Sequence, residues 1–180
     1  MPVVEGSVVI AAPQGALFAL SQDYALRRAW DPFTRDLKFL GGALAAGLGV
    51  HVWVRAWTGL TMEVEYVSFH PPHVVAMKMV RGPFFFERFA GTWLFRPHPT
   101  SGTEVTFRYN FETRWHFFRP LLDRVVELVF RRDVRARLHG LKRAAEKTDI
   151  LSRCYNNPSS VPPPFEYKPG REVPVVGGPG

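Results

Sequence analysis

Four side chains of this 180-residue chain have types and phasing suited to proton-transfer chemistry: Tyr66, Tyr109, Arg81 and Glu87. The two tyrosines offer hydroxyl donors, and Arg81 with Glu87 offers an ion pair across a hairpin. A positioned donor beside a carboxylate is the minimum that general acid–base catalysis needs. Each also has a structural reading. A cross-strand pair at a hairpin tip is ordinarily solvent-exposed and contributes little, and strand tyrosines more often satisfy a core than catalyse. Other chemistries find no support. No two of the six histidines (His51, His70, His73, His98, His116, His139) stand four apart on one helix, and no carboxylate pattern accompanies them, so neither a metal site nor a cofactor is expected. No Gly-x-Ser-x-Gly elbow is present. The glycine-rich stretch 41–49 lacks the Gly-Lys-Ser/Thr ending of a phosphate loop and no helix follows it, so it reads as a flap near a pocket mouth.

The element that must organise these residues is the last helix, expected over residues 117–147, with Pro120 in its first turn where a missing amide proton costs nothing. Phe118, Leu121, Leu122, Val125 and Val129 form one apolar stripe. Val134, Leu138, Leu141 and Ala145 form a second, rotated around the cylinder, so the helix should lie across a concave surface. Residues 47–113 supply that surface as consecutive strands. Before them come a strand at 3–10, a helix at 13–20, and a second helix at 23–30. Asp23 is the candidate N-cap of the second, and Trp30-Asp31-Pro32 closes it because a residue before proline leaves the helical region. A further strand follows at 37–40.

Turn chemistry sets the register. A three-residue loop, Trp57-Thr58-Gly59, wants its left-handed residue last, where glycine stands. Val54 then pairs with Met62, Val52 with Val64 and Val50 with Tyr66, while His51, Trp53, Arg55 and Trp57 occupy the outer face. A two-residue turn would bring Arg55 and His51 inward, but Thr58 suits positive φ poorly. Further on, Arg81 falls opposite Glu87, Met79 opposite Phe89, Met77 opposite Gly91 and Val75 opposite Trp93. The last hairpin sets Phe107 against Trp93, Tyr109 against Gly91 and Phe111 against Phe89. Inner positions are aromatic, aliphatic or glycine and the outer row is polar, as in an antiparallel sheet wetted on one face.

With 46% hydrophobic residues the chain can build one full core. No segment approaches the length of a membrane span, and a single cysteine, Cys154, excludes an intrachain disulfide, so the cytoplasm is the expected compartment. The net charge of +7 is concentrated in the last helix, with nine Lys/Arg against four Asp/Glu between Arg119 and Lys147. A solvated helix face explains it most simply. Transient docking on an anionic membrane surface is the sharper alternative; no zinc finger, RNP-like strand or helix-turn-helix supports a nucleic-acid partner. Trp53 and Trp57 on the outer face suggest self-association, hence a homodimer. Residues 148–180, rich in proline and glycine, read as a disordered tail with Cys154 exposed at its start.

These features together carry a resemblance. The strand, two short helices ending in Trp30-Asp31-Pro32, the Gly-rich link 41–49, the Tyr66–Pro72 strand end, Gly91-Thr92-Trp93-Leu94-Phe95, and the long helix with Leu141-Lys142 and Glu146 resemble the START-like helix-grip superfamily, also called SRPBCC. The likeness covers residues 1–147 and is greatest to the polyketide cyclase/dehydrase-like group, which includes ubiquinone-binding carriers. It implies an α+β helix-grip (Bet v 1/START-like) fold, a curved antiparallel sheet gripping the C-terminal helix around an apolar cavity. The implied role is binding a hydrophobic small molecule (lipid, quinone or polyketide-like) as a carrier. The expected lining is Trp30, Val54, Met62, Val64, Tyr66, Met77, Met79, Phe89, Trp93, Phe107, Tyr109, Phe118, Leu122, Val125 and Val129. The resemblance specifies fold better than activity. An enzymatic alternative is a polyketide cyclase or dehydratase in which a Tyr with Arg81 or Glu87 serves an aldol or dehydration step. A protein-interaction module using the Trp53/Trp57 face and the tail is the third reading.

Overall fold

Period-two alternation builds a seven-stranded antiparallel sheet in the computed structural model, which describes residues 2–114 and 119–155, with side chains described to Arg114 and from Asp123 to Cys154. In chain order the elements are β1 (Val3–Ile10), α1 (Gln14–Gln22), α2 (Tyr24–Trp30), β2 (Thr34–Phe39), β3 (His51–Ala56), β4 (Thr61–His70), β5 (Val74–Arg81), β6 (Phe86–Pro97), β7 (Thr103–Thr113), α3 (Arg119–Lys147) and α4 (Ile150–Tyr155). The sheet order is β1-β7-β6-β5-β4-β3-β2, so β1 and β2 lie at opposite edges and α1 with α2 carries the chain from one edge to the other. Asp23 caps α2, its carboxylate accepting from the amides of Ala25 at 2.9 Å and Leu26 at 3.1 Å.

The expected register of the β3–β4 and β6–β7 hairpins is the observed one. Val54 pairs with Met62 and Val52 with Val64, and Gly59 takes the left-handed conformation that closes the turn, at φ +86°. Trp93 faces Phe107, Gly91 faces Tyr109 and Phe89 faces Phe111. Strand β7 alternates without a break, with Val105, Phe107, Tyr109 and Phe111 buried between half-buried polar residues. Burying side chains of this size contributes roughly 1.5–3 kcal/mol each.

Helix α3 packs against β1 and β7 along its second half, where Val134, Leu138 and Leu141 are buried. Its first half behaves differently. Phe130 inserts among Phe86, Phe89, Tyr109 and Phe111, but Val125, Leu128 and Val129 stay largely exposed. Gly140 sets the crossing with α2, because a Cβ there would collide with the Trp30 carbonyl oxygen. The absent side chain lets α3 pass close enough for residues one turn away to reach the end of α2.

Three expectations need correction. The stretch after Lys147 is not tail throughout, since α4 buries Ile150 and Cys154 against the rest of the fold. Cys154 is therefore covered, not exposed, because helical spacing puts it on the same face as Ile150. Residues 156–180, where the remaining tail was expected, lie outside the described residues. Among the described residues, the 41–49 link lines neither of the two cavities described below: the Gly49 amide donates to the Tyr66 carbonyl, extending the ladder that the Tyr66 amide makes to Val50 and tying the link to the sheet edge.

Candidate functional site: an apolar cavity with a buried polar wall

Between the sheet and the first half of α3 lies a cavity of about 630 Å³. The β3–β4 hairpin contributes Val54, Ala56, Trp57, Leu60 and Met62; the β5–β6 tip and β6 contribute Pro83, Phe85, Phe86 and Phe89; α3 contributes Val125, Val126, Val129, Phe130 and Ala136. Pro32 and Phe33 close one end. The polar side chains on its wall are Thr58, Arg132 and Asp133. A second, inner cavity of about 50 Å³ lies behind it, and Phe33, Val54, Met62 and Phe89 line both. Tyr109 and Arg137 line the inner one.

The polar wall is a continuous network. Asp31, just beyond α2, accepts from Arg27 Nε at 2.7 Å, Arg137 Nη2 at 2.8 Å, Thr34 Oγ1 at 3.0 Å and the Phe33 amide at 3.1 Å. Arg137 Nη1 also donates to the Tyr109 hydroxyl at 2.6 Å, and that hydroxyl donates to Asp133 Oδ2 at 2.9 Å. The Arg137 guanidinium lies over the rings of Phe107 at 4.5 Å and Phe33 at 4.8 Å, which offsets part of the cost of burying it.

Electrostatics divides the two carboxylates. Burial opposes ionisation of Asp31, but Arg137 and Arg27 prevail and hold it below the ordinary carboxylate range. Burial dominates at Asp133; against it Arg137 and the Tyr109 hydrogen bond are weaker, and the pKa rises to about 6. Burial pushes the Tyr66 and Tyr109 hydroxyls well above 10, so both remain protonated donors at neutral pH. Asp133 is thus a carboxyl on the wall of an apolar cavity that gains or loses its proton near neutrality, hydrogen-bonded to a phenol and close to a guanidinium. Such a group can accept a hydrogen bond from a bound molecule, donate one, or move a proton.

A family model described as "Polyketide cyclase / dehydrase and lipid transport" matches residues 1–146. The chain belongs to that polyketide cyclase/dehydrase and lipid transport family. Solved structures share the fold. TTHA0849 from Thermus thermophilus is 21% identical with TM-score 0.65, covering 78% of this chain and 94% of that one. The ZhuI aromatase/cyclase from Streptomyces is 19% identical with TM-score 0.61, covering 81% and 96%. Truncated norcoclaurine synthase from Thalictrum flavum is 11% identical with TM-score 0.62, covering 81% and 94%. No curated protein matches significantly.

In this family member the residues singled out from sequence separate into five groups. Val54, Met62, Phe89, Val125 and Val129 line the large cavity. Val64, Met77, Phe107 and Tyr109 line the inner one, with Val54, Met62 and Phe89 common to both. Trp30, Tyr66 and Trp93 are buried in the core and line neither cavity, Trp30 edge-to-face on Trp93 at 5.9 Å and Tyr66 donating to Gln22 at 2.9 Å; Met79 is half-buried beside Gly82. Phe118 lies outside the described residues, as does the side chain of Leu122. Arg81 and Glu87 are exposed and line neither cavity. A bulge between Glu63 and Val64 sets Arg81 opposite Glu63, and the β5–β6 ladder stops at Lys78 and Ala90, so the two are not ladder partners.

Trp57 is not on the outer face. Strand β3 ends at Ala56, alternation no longer governs the next residue, and the turn swings the indole to the cavity mouth. Trp53 remains outside with Lys38 over its ring at 5.6 Å. The network residues Arg27, Asp31, Asp133 and Arg137 were not singled out as functional from sequence. Their signal was available in α3: Asp133 and Arg137 stand four apart, each directly before a residue of the buried stripe, Val134 and Leu138. Charges at that phase are turned inward.

Proposed function

We propose that the protein binds a hydrophobic small molecule, of lipid, quinone or polyketide-like class, in the cavity between the sheet and α3, as a carrier or binding protein. The observation that carries this reading is the cavity itself: about 630 Å³ enclosed chiefly by aliphatic and aromatic side chains, within the range of small-molecule sites. Asp133 supplies a buried polar anchor on a chiefly apolar wall, suited to a hydroxyl or carbonyl on the bound molecule. Native mass spectrometry of protein purified from its own host, followed by organic extraction, tests the reading. A retained hydrophobic molecule is expected. Protein that arrives empty and also fails to take up a fluorescent fatty acid would overturn it.

A second reading is favoured by one specific observation, the Asp133–Tyr109 pair. A carboxyl with pKa about 6 beside a protonated phenol is a suitable acid–base combination for cyclisation or dehydration of a polyketide-like substrate. The aromatase/cyclase likeness supports that reading at the level of the fold. Turnover of a reactive poly-β-ketone by wild type, lost in Asp133→Asn while binding persists, would favour the enzyme over the carrier.

A further inference from the structure

The rim of the large cavity is apolar and exposed. Trp57 (61% exposed), Leu60 (45%), Val125 (55%) and Val129 (50%) line the cavity and face solvent together. Two more large apolar residues stand beside them without lining it: Phe84 (68%), between the lining residues Pro83 and Phe85, and Leu128 (72%), one turn from Val125. Three separate segments, the β3–β4 turn, the β5–β6 tip and the first half of α3, thus bring apolar side chains to one opening. A contiguous patch of this kind on a protein surface marks an interaction site.

The surrounding charge indicates the partner. Arg124, Leu128, Arg131 and Arg135 fall at i, i+4, i+7 and i+11, forming one exposed stripe of α3 beside the mouth, with Arg132 on the cavity wall. The acidic residues of the same segment offset this stripe only in part, because among the described residues Glu127 alone pairs with one of its arginines. Asp123 accepts from Thr113 at 2.7 Å, Glu127 is held by Arg131, and Asp133 is buried against Tyr109. Apolar side chains at an opening, edged by a stripe in which arginines outnumber the carboxylates that pair with them, fit a surface that is apolar beneath and anionic above.

We propose that the cavity mouth docks on an anionic lipid bilayer, with Trp57, Phe84 and Leu128 entering the headgroup boundary and the α3 arginines meeting lipid phosphates. The proposal rests on the cavity-binding reading. Docked in this way, an apolar molecule passes between bilayer and cavity without crossing water.

The test is cosedimentation of the full chain with vesicles of phosphatidylcholine plus phosphatidylglycerol, and with vesicles of phosphatidylcholine alone, at low and high salt. Wild type is expected to partition onto the anionic vesicles and to be released by salt. Phe84→Glu with Leu128→Glu, and separately Arg124→Glu with Arg135→Glu, should each weaken that partition by about tenfold or more. None of these four residues lines the cavity, so uptake of a dispersed fluorescent fatty acid should not change. Absence of vesicle binding by wild type, or equal binding by both double variants, overturns the docking while leaving cavity binding intact. A wild-type dimer that Leu128→Glu converts to monomer, with no vesicle binding, overturns it in favour of a second copy covering the mouth. Vesicle binding in a protein that takes up no probe supports docking and counts against the cavity reading.

Discussion

At the scale of single residues, Asp133 gives the site its sharpest prediction. Its native pKa of about 6 exceeds its ordinary value of 3.8, so near pH 5 the folded protein holds a proton that the unfolded chain has released. That contribution to stability is complete below pH about 4 and is lost as pH rises through about 6, a change of up to about 3 kcal/mol. Asp31, held below 3.8 by two arginines, acts in the opposite sense and loses its contribution only as pH falls below about 4. Asp133→Asn should therefore flatten the decline in urea midpoint between about pH 4 and 6; an unchanged decline would assign it to another group. Arg137→Met should cost about 3–5 kcal/mol in chemical denaturation, since it leaves the buried Asp31 with one of its two arginine partners; a loss under about 1 kcal/mol would mean that the network relaxes around the gap. These residues were the least legible part of the sequence. Tyr109 could be placed from its strand phase, but its partners Asp133 and Arg137 come from α3, and Arg137 in turn joins Asp31 and Arg27 at the end of α2; distances between such elements are set by packing. Arg81 and Glu87 misled for the converse reason: their strand phase was readable, but a bulge and an early end of the ladder decided where they stood.

At the scale of elements, the strands were legible because each carries its own evidence. Gly59 fixed the first hairpin, and unbroken alternation in β7 fixed the last. Helix α3 was legible as an element and partly so as a surface. Its second stripe packs as expected, whereas Val125 and Val129 of its first stripe border a cavity in place of a core. Periodicity cannot distinguish those outcomes, because an apolar wall and an apolar filling use the same residues. The α2–α3 crossing depends on Gly140, whose significance appears only when the Trp30 carbonyl is seen against it. Gly140→Ala should destabilise the fold by about 1–3 kcal/mol even though alanine favours helix, because α3 must shift away from α2 and stretch the Arg137–Asp31 pair. Thermal unfolding decides the sign: a variant more stable than wild type would show that the crossing has slack.

At the scale of the molecule, a sheet that places its first two strands at opposite edges requires α1 and α2 to close one end and leaves α3 to cover the concave face. The fold and family resemblance was readable over nearly the whole of this region, and the family match spans residues 1–146. The cavity was expected from that resemblance, with Val125 and Val129 of the first half of α3 among its walls, whereas its aromatic rim at Trp57 emerged only from packing. Among the described residues no helix is long and apolar enough to cross a membrane. The central claim is that the 630 Å³ cavity holds the ligand, and the most direct measurement is a fluorescence titration with a fatty-acid probe of wild type and of Val126→Trp. Val126 is a half-buried lining residue of α3, and the larger ring would occupy the cavity. Saturable binding by wild type and a loss of at least about tenfold in the folded variant is the predicted result; equal affinity in both proteins would place the ligand elsewhere and contradict the account.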